Sequence, residues 1–243
     1  MTLSPMTLGG LHRALAEGWR VAGATRGISV TYALIFTLAG LLIMGSLLAL
    51  GWTPFIIAAA GAFMLVGPII LAGFFGIAGA LEAAQRAGVA SIVSGFVRAS
   101  RALWALALVC ALLFMIFITD AAILYAYMVG ATPVWLDNLL PANANVLSFV
   151  RWAGVSGFVV ALLLYAVAAF SVPLLCERRA GLVESVVLSV RIVFANFVPA
   201  IIWAFLLSAS IIGSILVLPL LPLTLPWMAY ASRALYRQVL PAA

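Results

Sequence analysis

Few residues in this chain are of a type that does chemistry, and their spacing says as much as their number. A single histidine, His12, stands near the N-terminus outside any apolar run. Haem, copper and di-iron centres inside helix bundles need several imidazoles or carboxylates facing inward, which one histidine cannot supply. The two cysteines, Cys110 and Cys176, are too far apart for a CxxC redox pair, and zinc needs more ligands. All 12 basic residues are arginine, which removes Schiff-base and phosphate-loop lysine chemistry and points to a GC-rich bacterial genome. No GxSxG, HExxH, P-loop or paired-carboxylate arrangement occurs. The expectation is a chain with no catalytic constellation, no cofactor and no metal, and therefore not an enzyme.

Asp120 is the one carboxylate inside an apolar run, a position that by default suggests proton or cation transfer. It lies about 18 residues beyond the start of its run, or roughly 27 Å at 1.5 Å per residue, close to the far interface. Arg151 opens the next run on that same side, so an Asp120–Arg151 ion pair is the structural expectation. Glu82 with Arg86, at i,i+4, and Glu177 with Arg178 and Arg179 read as charges solvating helix ends.

The elements that hold these residues follow from composition. Of the 243 residues 67% are hydrophobic and 7% charged, with a mean hydropathy of +1.30. Soluble domains carry roughly a quarter charged residues, so the chain reads as a polytopic membrane protein. A net charge of +6 spread over so much apolar sequence is a topology signal, and no nucleic-acid partner is expected. Residues 1–26 contain charges but no continuous apolar core, so no signal peptide is expected.

Six spans of about 20 residues are predicted near 28–50, 55–80, 101–128, 152–175, 198–213 and 216–235. Gly51-Trp52-Thr53-Pro54 joins the first two, and a polar loop from Gly130 to Asn145 joins the third and fourth. Pro219, Pro222 and Pro226 leave a re-entrant hairpin open as an alternative for 198–235. With six spans, 11 of the 12 arginines fall on one side and only Arg151 on the other. That distribution puts both termini in the cytoplasm and the chain in the bacterial inner membrane. Trp52, Trp104, Trp135 and Trp152 fall near the interfaces.

The segments before each pair of spans are amphipathic. Leu8, Leu11, Leu15, Trp19 and Ala22 form a helical stripe, as do Val89, Ile92, Val93, Phe96 and Val97, and Leu182, Val183, Val186, Val187, Val190 and Val193. Such helices belong in the cytoplasmic interface. Their registers match: Gly10, Gly88 and Gly181 each precede an arginine, Arg20, Arg98 and Arg191, by ten residues, and Arg-Ala-Gly recurs at 86–88 and 179–181. The expected fold is an all-α membrane protein of six transmembrane helices, arranged as three parallel hairpins each preceded by an interfacial amphipathic helix. The pseudo-repeats run about 8–80, 86–176 and 179–237 inside one integral membrane domain, 1–243. Arg20, Arg98, Arg101, Arg178, Arg179 and Arg191 are candidate contacts for anionic lipid head groups of the bilayer. Ala72, Gly76 and Ala80, and Gly157 with Ala161, form small-residue faces for close helix packing or for docking another subunit.

Several stretches carry a family resemblance: Phe170-Ser171-Val172-Pro173-Leu174-Leu175, Phe194-Ala195-Asn196-Phe197-Val198-Pro199-Ala200, and Leu216-Val217-Leu218-Pro219-Leu220-Leu221 with Trp227, Tyr230, Arg233 and Tyr236. With Val66-Gly67-Pro68 and Gly18-Trp19-Arg20, the chain resembles an uncharacterised bacterial family of multispanning membrane proteins, a domain of unknown function. Some of its members are labelled cytochrome c oxidase subunits. The family commonly carries a histidine in its closing segment, where this chain reads Leu223-Thr224-Leu225-Pro226-Trp227. That departure argues against a ligand there, and the resemblance then implies at most an accessory role. The expected function is a non-catalytic accessory, scaffold or assembly subunit of a larger membrane complex, respiratory if the label holds. The alternative is a transporter or channel for a small or lipid-like solute.

Overall fold

The computed structural model describes residues 4–51, 55–128 and 144–241, and among these it contains helices and no strand. Four helices are long and apolar enough to cross a membrane: Arg26–Ala49, Arg101–Met128, Arg151–Cys176 and Phe197–Ser214. The helices in chain order are α1 (Leu8–Ala24), α2 (Arg26–Ala49), α3 (Phe55–Glu82), α4 (Val89–Arg98), α5 (Arg101–Met128), α6 (Ala144–Ala168), α7 (Ser171–Cys176), α8 (Leu182–Ala195), α9 (Phe197–Leu216) and α10 (Leu221–Val239). The expected turn residues 52–54 and nearly all of the expected loop at 130–145 lie outside the described residues. Gly51, at φ 69°, ends α2 in the left-handed conformation that glycine adopts without a Cβ penalty.

Single polar residues join the short helices to the long ones. Thr25 breaks the chain between α1 and α2, and its Oγ1 donates back to the Val21 carbonyl. Asn196 does the same between α8 and α9, with Nδ2 donating to Ile192 and Oδ1 accepting from the Met6 amide at 2.9 Å. Ser100 separates α4 from α5, and its Oγ accepts from the Ala102 amide. The Val21 and Ile192 carbonyls keep their backbone amides, so Thr25 and Asn196 add a second bond there, whereas Ser100 takes up a free amide in the first turn of α5.

Small residues let the short helices approach the long ones closely. On α1, Gly10, Ala14 and Gly18 face α10; a Cβ on Gly18 would lie 2.6 Å from the Ala231 nitrogen. Trp227 of α10 donates from Nε1 to the Leu15 carbonyl and meets Trp19 edge-on at 5.3 Å. Gly95 of α4 packs against Gly76 of α3 backbone to backbone, with Ser91 beside it. Ser185 and Ser189 of α8 face α6 and α7. Pro173 carries no amide proton for the Ala169 carbonyl, and the helix breaks at Ala169-Phe170. The Ser189 hydroxyl fills the break, accepting from Phe170 N at 3.1 Å and donating to the Ala166 carbonyl at 2.7 Å.

Three apolar cores lie between the long helices. One joins α1, α6–α9 and α10 around Phe170, Leu174, Trp203 and Tyr236. A second joins α2, α3 and α10 around Tyr32, Phe74 and Tyr230. The third joins α3, α5 and α7 around Phe75, Leu103, Cys110 and Leu175. Thr224 of α10 donates to Ser214 of α9 at 2.6 Å, and the Ser4 amide bonds the Val239 carbonyl near the Met6–Asn196 bond. α10 therefore returns alongside the full length of α9. The outer faces of α2, α5 and α9 expose large apolar side chains such as Leu38, Leu42, Leu112, Ile116 and Phe205.

Gly76→Ala should lower the detergent melting temperature, because its Cβ would run into the Ser91 carbonyl and the Gly95 backbone, which cannot rotate away. Overpacking of this kind costs about 1–3 kcal/mol. Gly79→Ala, whose Cβ meets open space, should be neutral or slightly stabilising through helix propensity. Thermal unfolding of both variants side by side checks the contrast.

Candidate functional site: a charged cavity where three helices end

Two helix ends place acids in one spot. α3 stops just after Glu82 with Ala84 at φ 53°, where Gln85 N bonds the Ala80 carbonyl and Ala84 N bonds the Leu81 carbonyl. α7 stops in the same way at Arg178, also φ 53°, with Arg179 N on Leu174 and Arg178 N on Leu175. Both are Schellman ends with a non-glycine residue in the left-handed position. Arg178 Nη2 donates to the Val97 and Ala99 carbonyls at 3.0 and 3.3 Å, capping the C-terminus of α4 with a cation.

Between these ends α10 presents Arg233 and Arg237, one turn apart. Arg233 grips Glu82 with two parallel bonds, Nη1–Oε1 at 2.7 Å and Nη2–Oε2 at 3.0 Å, and its Nε lies 3.5 Å from Glu177 Oε1. Arg237 donates from Nη1 to Glu82 at 2.7 Å and from Nε and Nη2 to Glu177 at 3.1 and 2.9 Å. The Arg233 side chain is 10% exposed, with Phe75 beneath its guanidinium at 5.7 Å, whereas Glu82 is 49% exposed. Burial alone would raise the Glu82 carboxyl, but the hydrogen bonds and charges of Arg233 and Arg237 outweigh it and hold it below the ordinary glutamate range. Arg179 turns the other way, donating to Tyr236 Oη and to the Leu240 and Pro241 carbonyls. A cavity of about 450 Å³ opens beside the cluster, lined by Phe75, Gly76 and Gly79 together with Glu82, Glu177, Arg98, Arg178, Arg233 and Arg237.

The residues singled out in the sequence fall elsewhere or take other roles. Asp120 and Arg151 are both exposed on the surfaces of α5 and α6, and no ion pair among the described residues joins them. Glu82 does not pair with Arg86, because the helix that would bring them to one face ends at Glu82. Among the arginines proposed to touch lipid, Arg20 is held by Glu17 at 2.6 Å, and this hydrogen bond lowers the Glu17 carboxyl. Arg178 and Arg179 are engaged by carbonyls, whereas Arg98, Arg101 and Arg191 keep exposed side chains. Ala72, Gly76 and Ala80 pack inside the protein, Gly157 faces the Phe117 ring, and Ala161 is exposed. The sequence reading missed the alliance of Glu82 and Glu177 with α10. Its available signal was the i,i+4 spacing of Arg233 and Arg237 with acids at the ends of two other apolar runs.

A chain whose described residues are helical, with four apolar helices long enough to cross a membrane, is a multi-pass integral membrane protein, in contact with the lipid bilayer. Residues 55–177 match the family described as predicted integral membrane protein (DUF2189), a domain of unknown function, and the chain belongs to that family. No curated protein and no solved structure matches it. The match takes in Val66-Gly67-Pro68 and the segment from Phe170 to Leu175; the resembling stretches near the N-terminus and beyond Glu177 lie outside it.

The lowered Glu82 carboxyl ties stability to pH with a definite sign. A carboxyl depressed in the folded state adds stability that is fully present above its unfolded value, about 4.3. That contribution is lost as the pH falls through the lower folded value. In detergent, the melting temperature should fall on acidification below that point. Glu82→Gln should flatten this part of the fall and cost about 2–4 °C at pH 7, the scale of 1 kcal/mol for a chain this size and a half-exposed pair. An unchanged acid limb in the variant would refute the assignment.

Proposed function

We propose that the chain crosses the membrane six times and serves as a non-catalytic accessory or assembly subunit of a larger membrane complex. Two further helices supply the added spans. α3 is 28 residues long, about 42 Å at 1.5 Å per residue, and α10 returns along α9. The three short helices support the repeat of interfacial helix and two spans. α4 lies on α3, α8 on α6 and α7, and α1 on α10, each on the last helix of the unit before it, with α1 closing the circle. Their outer faces carry exposed Leu8 and Trp19, Val89, Val93 and Val97, and Val183, Val187 and Phe194, as helices lying in a membrane interface would. With the helix ends Glu82, Glu177 and Arg233 on the arginine-rich side, both termini lie in the cytoplasm.

The observation that carries the functional reading is the apolar interior formed by the described residues. Most of its buried hydroxyls are spent locally, Ser29 on Tyr230, Thr37 on the Ala33 carbonyl and Ser189 in the α6–α7 break, while Ser185 Oγ stands alone without a partner. They form no polar line from one side to the other, which a transport path would need. The broad apolar faces of α2, α5 and α9 are left for lipid or for neighbouring subunits. Purification of the tagged protein from its native membrane in mild detergent, with mass spectrometry and a haem spectrum, tests the proposal. Stoichiometric recovery of the same membrane protein or proteins across detergents is expected. Recovery of this chain alone, together with solute uptake in proteoliposomes, would replace the proposal with a transporter.

A further inference from the structure

The geometry points to the cavity beside Glu82 as a binding site for a phosphate group, carried by an anionic phospholipid or by a soluble phosphate ester. Four arginines and two glutamates line it, an excess of two positive charges. Arg233 and Arg237 are largely committed to the two carboxylates. Arg178 spends only Nη2, on the Val97 and Ala99 carbonyls, and Arg98 makes no ion pair or hydrogen bond. Arg98 and Arg178 are therefore the uncompensated guanidiniums. Planar guanidinium forks match phosphate oxygens better than any other side chain does.

The apolar part of the lining decides what kind of molecule fits. Phe75, Gly76 and Gly79 offer an apolar surface with no side chain at Gly79, where a Cβ would meet nothing within 4 Å. A volume near 450 Å³ lies in the range of small-ligand sites and holds more than a bare anion. Glu82 and Glu177 repel an anion, so the phosphate belongs at the Arg98–Arg178 side, with any apolar part along α3. The cavity sits where the apolar helices end, which is the depth of lipid head groups.

The test uses the full chain in mild detergent and reads first-ligand binding by native mass spectrometry together with melting temperature. The probes are dioleoylphosphatidylglycerol, dioleoylphosphatidylcholine and inorganic phosphate, the last against chloride at equal ionic strength. Preferential binding of one phosphatidylglycerol over phosphatidylcholine is expected, weakened about fivefold in Arg98→Gln and abolished in Gly79→Leu. Arg151→Gln, an exposed arginine on α6 that does not line the cavity, should leave it unchanged. Stabilisation by inorganic phosphate that is lost in the same two variants, without a lipid preference, would assign the site to a soluble phosphate ester. Equal binding in wild type and Arg98→Gln, equal loss in Arg151→Gln, or no preference for either probe would overturn the proposal. Arg98 is exposed, so its variant carries the test even if Gly79→Leu fails to fold. None of these readouts depends on whether the protein assembles with others.

Discussion

Two arginines one turn apart on α10, each shared between Glu82 and Glu177, hold together three helix ends that are far apart in sequence. A buried guanidinium is costly to desolvate, and the cost is met only where carboxylate geometry is good and the remaining donors are occupied. Here Arg233 has a bidentate partner, a second carboxylate and an aromatic face, while Arg237, nearer the solvent, completes both acids. The position of α10 follows from this clamp. So does the gathering of charge at one end of the bundle, leaving the rest of the described interior to apolar packing.

Away from the clamp, cohesion rests on close backbone approach and on the rule that no freed polar group is left without a partner. In hydrocarbon the hydrophobic effect does not draw helices together, so small residues and satisfied backbone groups must do it. Gly18 against Ala231 and Gly76 against Gly95 provide the first. The Ser189 hydroxyl in the gap opened by Pro173 provides the second, as does the Ser100 hydroxyl on the Ala102 amide. The same few residue types do similar work at the three junctions, although their spacings differ by a residue or two.

Hydropathy alone located the long helices, because a run of apolar residues leaves few alternatives. α2 and α5 fall within two residues of the expected spans. Pattern also found the short helices α1, α4 and α8, but not that Gly18, Gly95 and Ser189 on them would be the residues packed against the long helices. The site was much harder to see. Whether Glu82 faces Arg86 or Arg233 depends on where α3 stops, and the left-handed residue that stops it is an alanine rather than the glycine that usually marks such an end. Likewise Asp120 and Arg151 share a predicted depth, but depth does not fix the rotation of α5 and α6, which leaves both on the outer surface. Periodicity gives faces and levels; pairing across helices needs the crossing geometry.

The partnership of α1 with α10 has a consequence for how the chain acquires its shape. Trp227 bonds the Leu15 carbonyl across 212 residues of sequence, so the groove made by Gly10, Ala14 and Gly18 has no native occupant until α10 has been made. Closing so long a loop is entropically slow compared with pairing neighbouring helices, and high contact order delays folding in the same way. During synthesis α3 and α4 can dock as soon as both emerge, whereas α1 waits with its small-residue face unpaired. α1 thus precedes its neighbours in the chain yet is among the last of these helices to find its place, when α10 arrives.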